Sequence, residues 1–117
     1  MTGLRSYHAG RAAEDQVARH YSDLGHQICA SRWRGVSGEI DLIARCGQGI
    51  VFIEVKHARS FDRAAESLSA RQMSRILSAG EEFLAGEPLG SSTECRFDLA
   101  LVDGQGHIRI VQNAISA

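Results

Sequence analysis

The pattern of apolar and small residues near the start of the chain predicts a helix. From about Ser6 to Leu24 these residues recur at steps of three and four, which is the period of one helix face. The stripe consists of Gly10, Ala13, Val17, Tyr21 and Leu24. Gly25 follows the stripe, and a glycine in that position is typical of a helix end. We therefore expect one helix over about residues 6–24.

A second helical stripe begins after Ser69 and stops before Gly86 and Pro88, residues that terminate helices. The stripe consists of Met73, Ile76, Leu77, Gly80, Phe83 and Leu84. Ser69 and Gln72 stand three residues apart at its start, which is the spacing of a capping box. Residues 61–68, which precede it, form an irregular stretch with room for a short helical turn.

Five short runs rich in β-branched and aromatic residues predict strands. They are residues 27–34, 39–45, 50–56, 96–102 and 108–112. Glycines separate the first three runs, which predicts a meander, and residues 103–106 join the last two. With 117 residues, 44% of them hydrophobic and 23% charged, the chain fits one globular α/β domain over residues 1–117.

The composition argues against a membrane protein and against a disulfide framework. The longest apolar run, Ile50 to Ile53, is far shorter than a membrane span, and the N-terminus has no apolar signal region, so we expect a cytoplasmic protein. Cys29, Cys46 and Cys95 are an odd number and form no Cys-x-x-Cys pair. We interpret them as buried thiols and expect neither disulfides nor a zinc ribbon.

The net charge of −1 hides an asymmetry along the chain. Residues 1–80 contain 11 Lys and Arg against 8 Asp and Glu, whereas residues 81–117 contain 2 against 6, so the two parts carry +3 and −4. If three acids of the first part hold a metal, its surface is more basic than the total indicates. Binding of a polyanion is therefore open.

The second and third strands are joined by a segment whose turn fixes their register. A two-residue turn on Gly47 and Gln48 has glycine at its first central position, as a type II′ turn requires. Paired residues then have numbers that sum to 95. Strand alternation divides the second strand into two faces, of which one takes Glu39, Asp41 and Ile43 and the other takes Ile40, Leu42 and Ala44.

This register brings four charged residues into one patch, because Asp41 then faces Glu54 and Glu39 faces Lys56. Like charges that face each other across a hairpin are destabilising. Mg²⁺ or Mn²⁺ would turn the opposed carboxylates Asp41 and Glu54 into a ligand pair and leave positions for water and a substrate phosphate. The alternative is a solvated sheet face on which Glu39 and Lys56 form an ordinary cross-strand pair.

Lys56 is the only lysine among 13 cationic residues. Lysine and arginine are not interchangeable in a site, because lysine is a compact charge whose pKa can move near a metal. On the same face as Glu54, Lys56 could orient the attacking water or stabilise charge on a phosphate.

Asp41, twelve further residues and then Glu54-Val55-Lys56 resemble the PD-(D/E)xK nuclease superfamily, the restriction-endonuclease-like fold that includes archaeal Holliday junction resolvases. More narrowly, the chain is similar to the bacterial YraN family of endonuclease-like proteins. This similarity spans nearly the whole chain and rests on four segments, which are residues 33–34, 38–44, 52–56 and 96–98.

The resemblance implies an α/β, restriction-endonuclease-like fold with a mixed central β-sheet of about five strands flanked by helices. It implies Asp41 and Glu54 as metal ligands, with the backbone carbonyl of Val55 as a further ligand, and Lys56 as the catalytic lysine. It also implies that Glu14 reaches in from the first helix.

For two of the acids, an ion pair is an alternative to a role at the metal. Glu14 lies at the margin of the buried helix face, where it could bind the metal or form a surface pair with Arg11 or Arg19. Glu39 could assist the metal, directly or through water, or simply pair with Lys56.

The chain also departs from what the resemblance implies. The superfamily often carries a polar or basic residue on the helix after the Glu-x-Lys strand, which makes Gln72 a candidate. In the YraN family we would expect a Lys near position 72 and a Thr after the catalytic lysine, where this chain has Gln72 and His57. His57 could contact a phosphate or a proton, but we interpret it as a strand-end residue. We interpret Asp98, beside Arg96, as part of a structural ion pair.

The sequence thus predicts a Mg²⁺- or Mn²⁺-dependent nuclease that acts on branched, flapped or single-stranded DNA. The alternative is a non-catalytic domain of the same fold that binds DNA or a protein. Branched substrates would suit a homodimer, but the sequence shows no clear dimer face. Four arginines would contact phosphates, or belong to a solvated surface, and these are Arg59, Arg63, Arg71 and Arg75.

Overall fold

Helix α1, Thr2–Asp23, packs on one face of a β-sheet. The structure is a computed structural model that describes the backbone of residues 2–116 and the side chains of residues 8–116. Val17 and Tyr21 are buried, as the stripe predicted, whereas Leu24 lies beyond the helix end and is 64% exposed. Gly25 has φ +94°, the left-handed conformation that favours glycine after a helix.

Five strands form one mixed sheet in the order β1-β2-β3-β4-β5. Their bounds are Gln27–Arg34 for β1, Glu39–Cys46 for β2, Gly49–His57 for β3, Cys95–Val102 for β4 and Ile108–Val111 for β5. Strands β1 to β3 form the predicted antiparallel meander, β3 and β4 are parallel, and β4 and β5 are antiparallel. The predicted α/β fold with a mixed central sheet is therefore confirmed, and it is consistent with a restriction-endonuclease-like fold.

The crossover from β3 to the parallel strand β4 contains helices α2, Phe61–Glu66, and α3, Ala70–Leu84. A parallel connection must return to the starting end of the sheet, and a helix usually makes that return. Ser69 is the N-cap of α3 and exchanges both hydrogen bonds of the predicted capping box with Gln72. Within the described part of the chain, no helix is both long enough and apolar enough to cross a membrane.

The sheet separates two main apolar layers. The layer under α1 consists of Ala13, Val17, Tyr21, Leu42, Ala44, Val51, Ile53, Val55, Ala100 and Val102. The layer under α3 consists of Ile40, Ile43, Ile50, Phe52, Ala79 and Leu84. Helix α3 comes very close to the sheet at Gly80, where a Cβ atom would lie 2.6 Å from Cζ of Phe97. The glycine in the predicted stripe is therefore required by packing.

The predicted register of the β2–β3 hairpin is confirmed from Cys46–Gly49 to Leu42–Ile53. Gly47 has φ +62°, which agrees with the first central position of a type II′ turn. The regular pairing of the two strands extends no further than Leu42 and Ile53. The charged end of the hairpin therefore lies beyond the regular ladder.

The predicted alternation of β2 is wrong at Ile40, which packs with Ile43 in the layer under α3 rather than with Leu42 under α1. Strand β1 is irregular at the same level, since Arg32 has φ +51° between the residues paired with Leu42 and Ile40. The alternation of side chains between the two faces of β2 is therefore broken at Asp41, which lies between Ile40 and Leu42. The irregularity buries the Ile40 side chain completely, where strict alternation would have assigned it to the other face.

The cysteines are exposed, and the prediction that they are buried is wrong. Cys29 lies on the edge strand β1, Cys46 is the last residue of β2, and Cys95 is the first residue of β4. Edge strands and strand ends have fewer neighbours than the middle of a sheet, so a thiol there stays accessible to solvent.

Asp98 is a structural residue, as predicted. Its carboxylate is fully buried and accepts hydrogen bonds from Nε of Arg96 at 3.0 Å, from the Tyr21 hydroxyl at 2.8 Å and from the Asn113 backbone N–H at 3.0 Å. These bonds connect α1, β4 and the segment after β5. The arrangement satisfies a buried charge and leaves Asp98 in a role separate from any metal site.

Candidate active site

The candidate active site is a cleft of about 520 Å³, here called the central cleft. It lies between α1, the charged end of the β2–β3 hairpin and the first half of α3. All six residues predicted from the sequence for catalysis line it, and these are Glu14, Glu39, Asp41, Glu54, Lys56 and Gln72. Residues of α1 and α3, which are far from the hairpin in sequence, thus join the charged patch that the hairpin register predicted.

Glu54 is the most unusual group in the central cleft. Only 7% of the residue is exposed, and its Oε1 atom has no hydrogen-bond partner. The pKa of the Glu54 carboxyl is raised to about 9, first by burial and then by the nearby Asp41 carboxyl, while the Lys56 ammonium acts in the opposite direction. A buried carboxylate oxygen without a partner is costly, and such groups are rare in folded proteins.

Asp41 lies beside Glu54 because its side chain is tied to the backbone of β3. Its Oδ2 atom accepts a hydrogen bond of 2.8 Å from the backbone N–H of Val55. This bond substitutes for regular strand pairing beyond Leu42 and Ile53. It brings the carboxylate of β2 to the level of Glu54, so the opposition predicted from the register survives although the ladder has ended.

Lys56 approaches Glu54, with Nζ 3.8 Å from Oε2. The predicted alternative pair between Lys56 and Glu39 is wrong, because Glu39 forms an ion pair of 3.0 Å with Arg34. Strand β1 pairs Arg34 directly with Glu39, which gives Glu39 a closer cation than β3 offers. The sequence could have indicated this pair, because Arg34 and Glu39 flank the short segment that joins β1 to β2.

Glu14 reaches the central cleft from α1, as the resemblance implied. Its Oε1 atom pairs at 3.0 Å with Nε of Arg32 on β1, a residue that the sequence-based alternatives did not include. The negative charge of Glu14 also raises the pKa of Glu54. Glu14 therefore acts on the electrostatics of the site while a cation holds its carboxylate.

Among the residues whose side chains are described, no three His, Cys, Asp or Glu residues are arranged as a metal-binding cluster. Glu14 and Glu39 are each held by an arginine, which leaves Asp41 and Glu54 as the carboxylate pair. The unpartnered Oε1 atom of Glu54 fits a divalent cation, because Mg²⁺ is commonly held by one or two carboxylates with water completing its shell.

The remaining predicted residues divide between the central cleft and the surface. Gln72 lines the cleft, but its Oε1 atom accepts the capping hydrogen bond from Ser69. Arg75 also lines the cleft and is exposed, whereas Arg63 and Arg71 are exposed on α2 and on the first turn of α3, outside the cleft lining. Of the four predicted phosphate contacts, one thus reaches the cleft directly.

Arg32 and Gly10 are among the residues near the cleft that the sequence did not assign to the site. Arg32 was missed because its partner Glu14 is distant in sequence and its φ of +51° follows from the sheet irregularity. Gly10 was assigned only to the buried helix stripe, yet it lines the central cleft. A glycine inside a helix is unfavourable by about 1 kcal/mol relative to alanine, and that was the available signal.

The sheet, its helices and the central cleft define an α/β protein with two carboxylates and a lysine at one end of a hairpin, consistent with the restriction-endonuclease-like class. The chain belongs to the uncharacterised protein family UPF0102, whose family model matches residues 13–102. This is the family predicted above as YraN, so that prediction is confirmed.

Relatives match over nearly the whole chain. A UPF0102 protein of Cereibacter sphaeroides is 56% identical over 117 residues, which cover 100% of both chains. One of Ruegeria pomeroyi is 57% identical over 112 residues, or 96% of this chain and 91% of the relative. One of Roseobacter denitrificans is 50% identical over 114 residues, or 97% of this chain and 88% of the relative.

Proposed function

We propose that this protein is a nuclease that hydrolyses phosphodiester bonds in DNA with the help of Mg²⁺ or Mn²⁺. Asp41 and Glu54, with the backbone carbonyl of Val55, would hold the ion, and Lys56 would assist the reaction. The substrate class is branched, flapped or single-stranded DNA, and the location is the cytoplasm. Arg75 would contact a phosphate at the cleft.

One observation supports this proposal above the others. The Oε1 atom of Glu54 is buried without a hydrogen-bond partner, and the carboxylate of Asp41 lies close enough to raise its pKa. In the absence of a ligand this pair is unfavourable, because burial and like charge both oppose ionisation. A hard divalent cation would favour the ionised form of both groups, since it takes carboxylate oxygens as ligands.

The chemistry expected of the cleft divides between the ion and the protein. A bound divalent ion would supply positive charge that polarises a phosphate and acidifies water. The Lys56 ammonium would donate hydrogen bonds to the attacking water or to a phosphate oxygen, where negative charge increases during the reaction. Glu14 and Glu39, each held by an arginine of β1, would fix the walls of the cleft around Asp41 and Glu54.

The first experiment measures cleavage of labelled single-stranded, duplex, flap and four-way-junction DNA in the presence of Mn²⁺. We expect cleavage by the wild type and a loss of at least about a hundredfold in Asp41→Asn and Lys56→Ala, as removal of catalytic groups commonly causes. Glu94→Gln is the matched control, because Glu94 is an exposed acid outside the central cleft.

A second readout tests metal binding without catalysis. Binding to the native state alone stabilises a protein by about 2.7 kcal/mol when the ligand is present at 100 times its Kd. Mn²⁺ should therefore raise the melting temperature of the wild type and of Glu94→Gln, but not that of Asp41→Asn. If DNA binds, while cleavage and the Mn²⁺-dependent stabilisation are both absent, the protein is a non-catalytic DNA-binding domain and the nuclease proposal fails.

A further inference from the structure

A second groove of about 490 Å³ lies next to the central cleft, between α1 and the ends of β3 and β4. Its floor includes His57 and Val102, the last residues of two strands that run parallel. In α/β sheets, the space beyond the carboxyl ends of parallel strands is a common ligand site. Its α1 wall presents the small residues Ala9 and Ala12, which leave room for a chain-like ligand, and also Gln16, whose amide donates a hydrogen bond of 3.3 Å to the Gly106 carbonyl.

His57 belongs to both cavities, since it lines the central cleft and the second groove. Gly10 of α1 stands opposite its ring. A Cβ atom on Gly10 would lie 3.7 Å from Nε2 of His57, which is the one described atom within 4 Å outside the neighbouring residues and the nearby backbone of α1. The two residues therefore face each other where the central cleft adjoins the second groove, and an alanine at position 10 would place a methyl group in the space between them.

Among the residues whose side chains are described, packing offers no reason for glycine at position 10. A Cβ atom 3.7 Å from Nε2 of His57 makes an ordinary van der Waals contact, and the helix itself favours alanine over glycine by about 1 kcal/mol. Gly80 is different, because a Cβ atom there would collide with Phe97. Gly10 thus costs stability without relieving a clash, which is the expected property of a position kept open for a ligand.

The charges in the second groove fit a phosphodiester chain. Arg59 and His57 line it and are exposed. The acid in the lining, Asp103, is occupied within its own turn, where its carboxylate accepts hydrogen bonds from the backbone N–H groups of Gln105 and His107. Arg59 therefore supplies positive charge for a phosphate, as basic side chains do in grooves that follow a single nucleic-acid strand.

We propose that the space between Gly10 and His57 joins the central cleft and the second groove into one track for a single DNA strand. The scissile phosphate lies in the cleft, and Arg59 and His57 contact a phosphate further along the same strand. This inference rests on the proposed function, because it assigns the continuation of the same substrate. It makes Gly10 and His57 determinants of substrate length.

The test measures fluorescence anisotropy of labelled single-stranded oligonucleotides of increasing length, from a dinucleotide upward, with Ca²⁺ as the added ion. The wild type should bind more tightly as the oligonucleotide grows from the cleft into the groove. In Gly10→Ala the increase of affinity with length should disappear. The longer oligonucleotides should then bind about tenfold more weakly than to the wild type, which is equivalent to about 1.4 kcal/mol. The melting temperature of Gly10→Ala should equal or exceed that of the wild type.

Gly86→Ala is the matched control, because its new Cβ atom would lie 3.6 Å from a backbone oxygen outside both cavities. It should bind every oligonucleotide like the wild type. Arg59→Gln adds a second readout: loss of one phosphate contact should lower the slope of log affinity against log salt by about 0.7 for single strands. The track is refuted if Gly10→Ala keeps the wild-type dependence on length, or if the wild type has none.

Failure of the track is distinguishable from failure of the proposed nuclease activity. If the wild type cleaves DNA and Gly10→Ala cleaves long and short strands equally well, the track is wrong and the nuclease stands. If the wild type never cleaves, yet its length-dependent binding is lost in Gly10→Ala, the track is supported and hydrolysis is refuted.

Discussion

Glu54 should make the metal-free protein less stable as the pH rises. The pKa of its carboxyl is raised from 4.5 to about 9 by burial and by Asp41. In this pH range the native state keeps a proton that the unfolded state has released, so stability falls with pH. The contribution of Glu54 is therefore fully present below about pH 4.5 and is lost as the pH approaches 9. Glu54→Gln removes this dependence.

The size of the effect follows from the width of that range. Each pH unit over which native Glu54 alone keeps its proton lowers the free energy of unfolding by about 1.4 kcal/mol. From pH 5 to pH 7 the upper limit is roughly 3 kcal/mol. Because the cleft is open to water and Asp41 shares the interaction, we expect about half of this, roughly 1.5 kcal/mol.

The assay is urea denaturation in the presence of a chelator at pH 5, 6 and 7, for the wild type, Glu54→Gln and the control Glu94→Gln. The measured quantity is the difference in unfolding free energy between the wild type and each variant, in which titrating groups that do not interact with the substituted residue cancel. The difference for Glu54→Gln should shift with pH in favour of the variant, while that for Glu94→Gln stays constant. A constant difference for Glu54→Gln would refute the reasoning.

Three further predictions concern packing and charge. Asp98→Ala should lower the free energy of unfolding by about 3 kcal/mol, measured by urea denaturation, because it leaves Tyr21 and Arg96 without their buried partner. Gly80→Ala should cost about 1–3 kcal/mol in thermal unfolding, since its Cβ atom collides with Phe97; an unchanged melting temperature would contradict that packing. Arg75→Gln should weaken DNA binding and reduce its salt slope by about 0.7 on single strands, whereas an unchanged slope would remove Arg75 from the phosphate contacts.

The sequence predicted those features that depend on neighbours along the chain. The stripes of α1 and α3 and the capping box of Ser69 and Gln72 follow from spacings within a few turns of helix. The register of the β2–β3 hairpin follows from a two-residue turn, because a short turn leaves no freedom to slip. These local rules were enough to bring Asp41, Glu54 and Lys56 into one patch.

Tertiary structure decided what depends on contacts between distant segments. The partner of Glu14 is Arg32 of β1, and which cation lies closest to Glu14 depends on how α1 and β1 pack. Ile40 lies on the face opposite to the predicted one, at the level where Arg32 of the neighbouring strand has φ +51°. Neither has a signature in one segment.

The proximity of Gly10 and His57 shows the same division. The sequence by itself determined that a glycine lies within a helix and that a histidine directly follows the Glu-x-Lys motif. Only the fold brings the two residues together, because it packs α1 across the end of β3. Side-chain spacing along one segment is set by local backbone geometry, whereas a cavity exists only where separate segments meet and leave space between them.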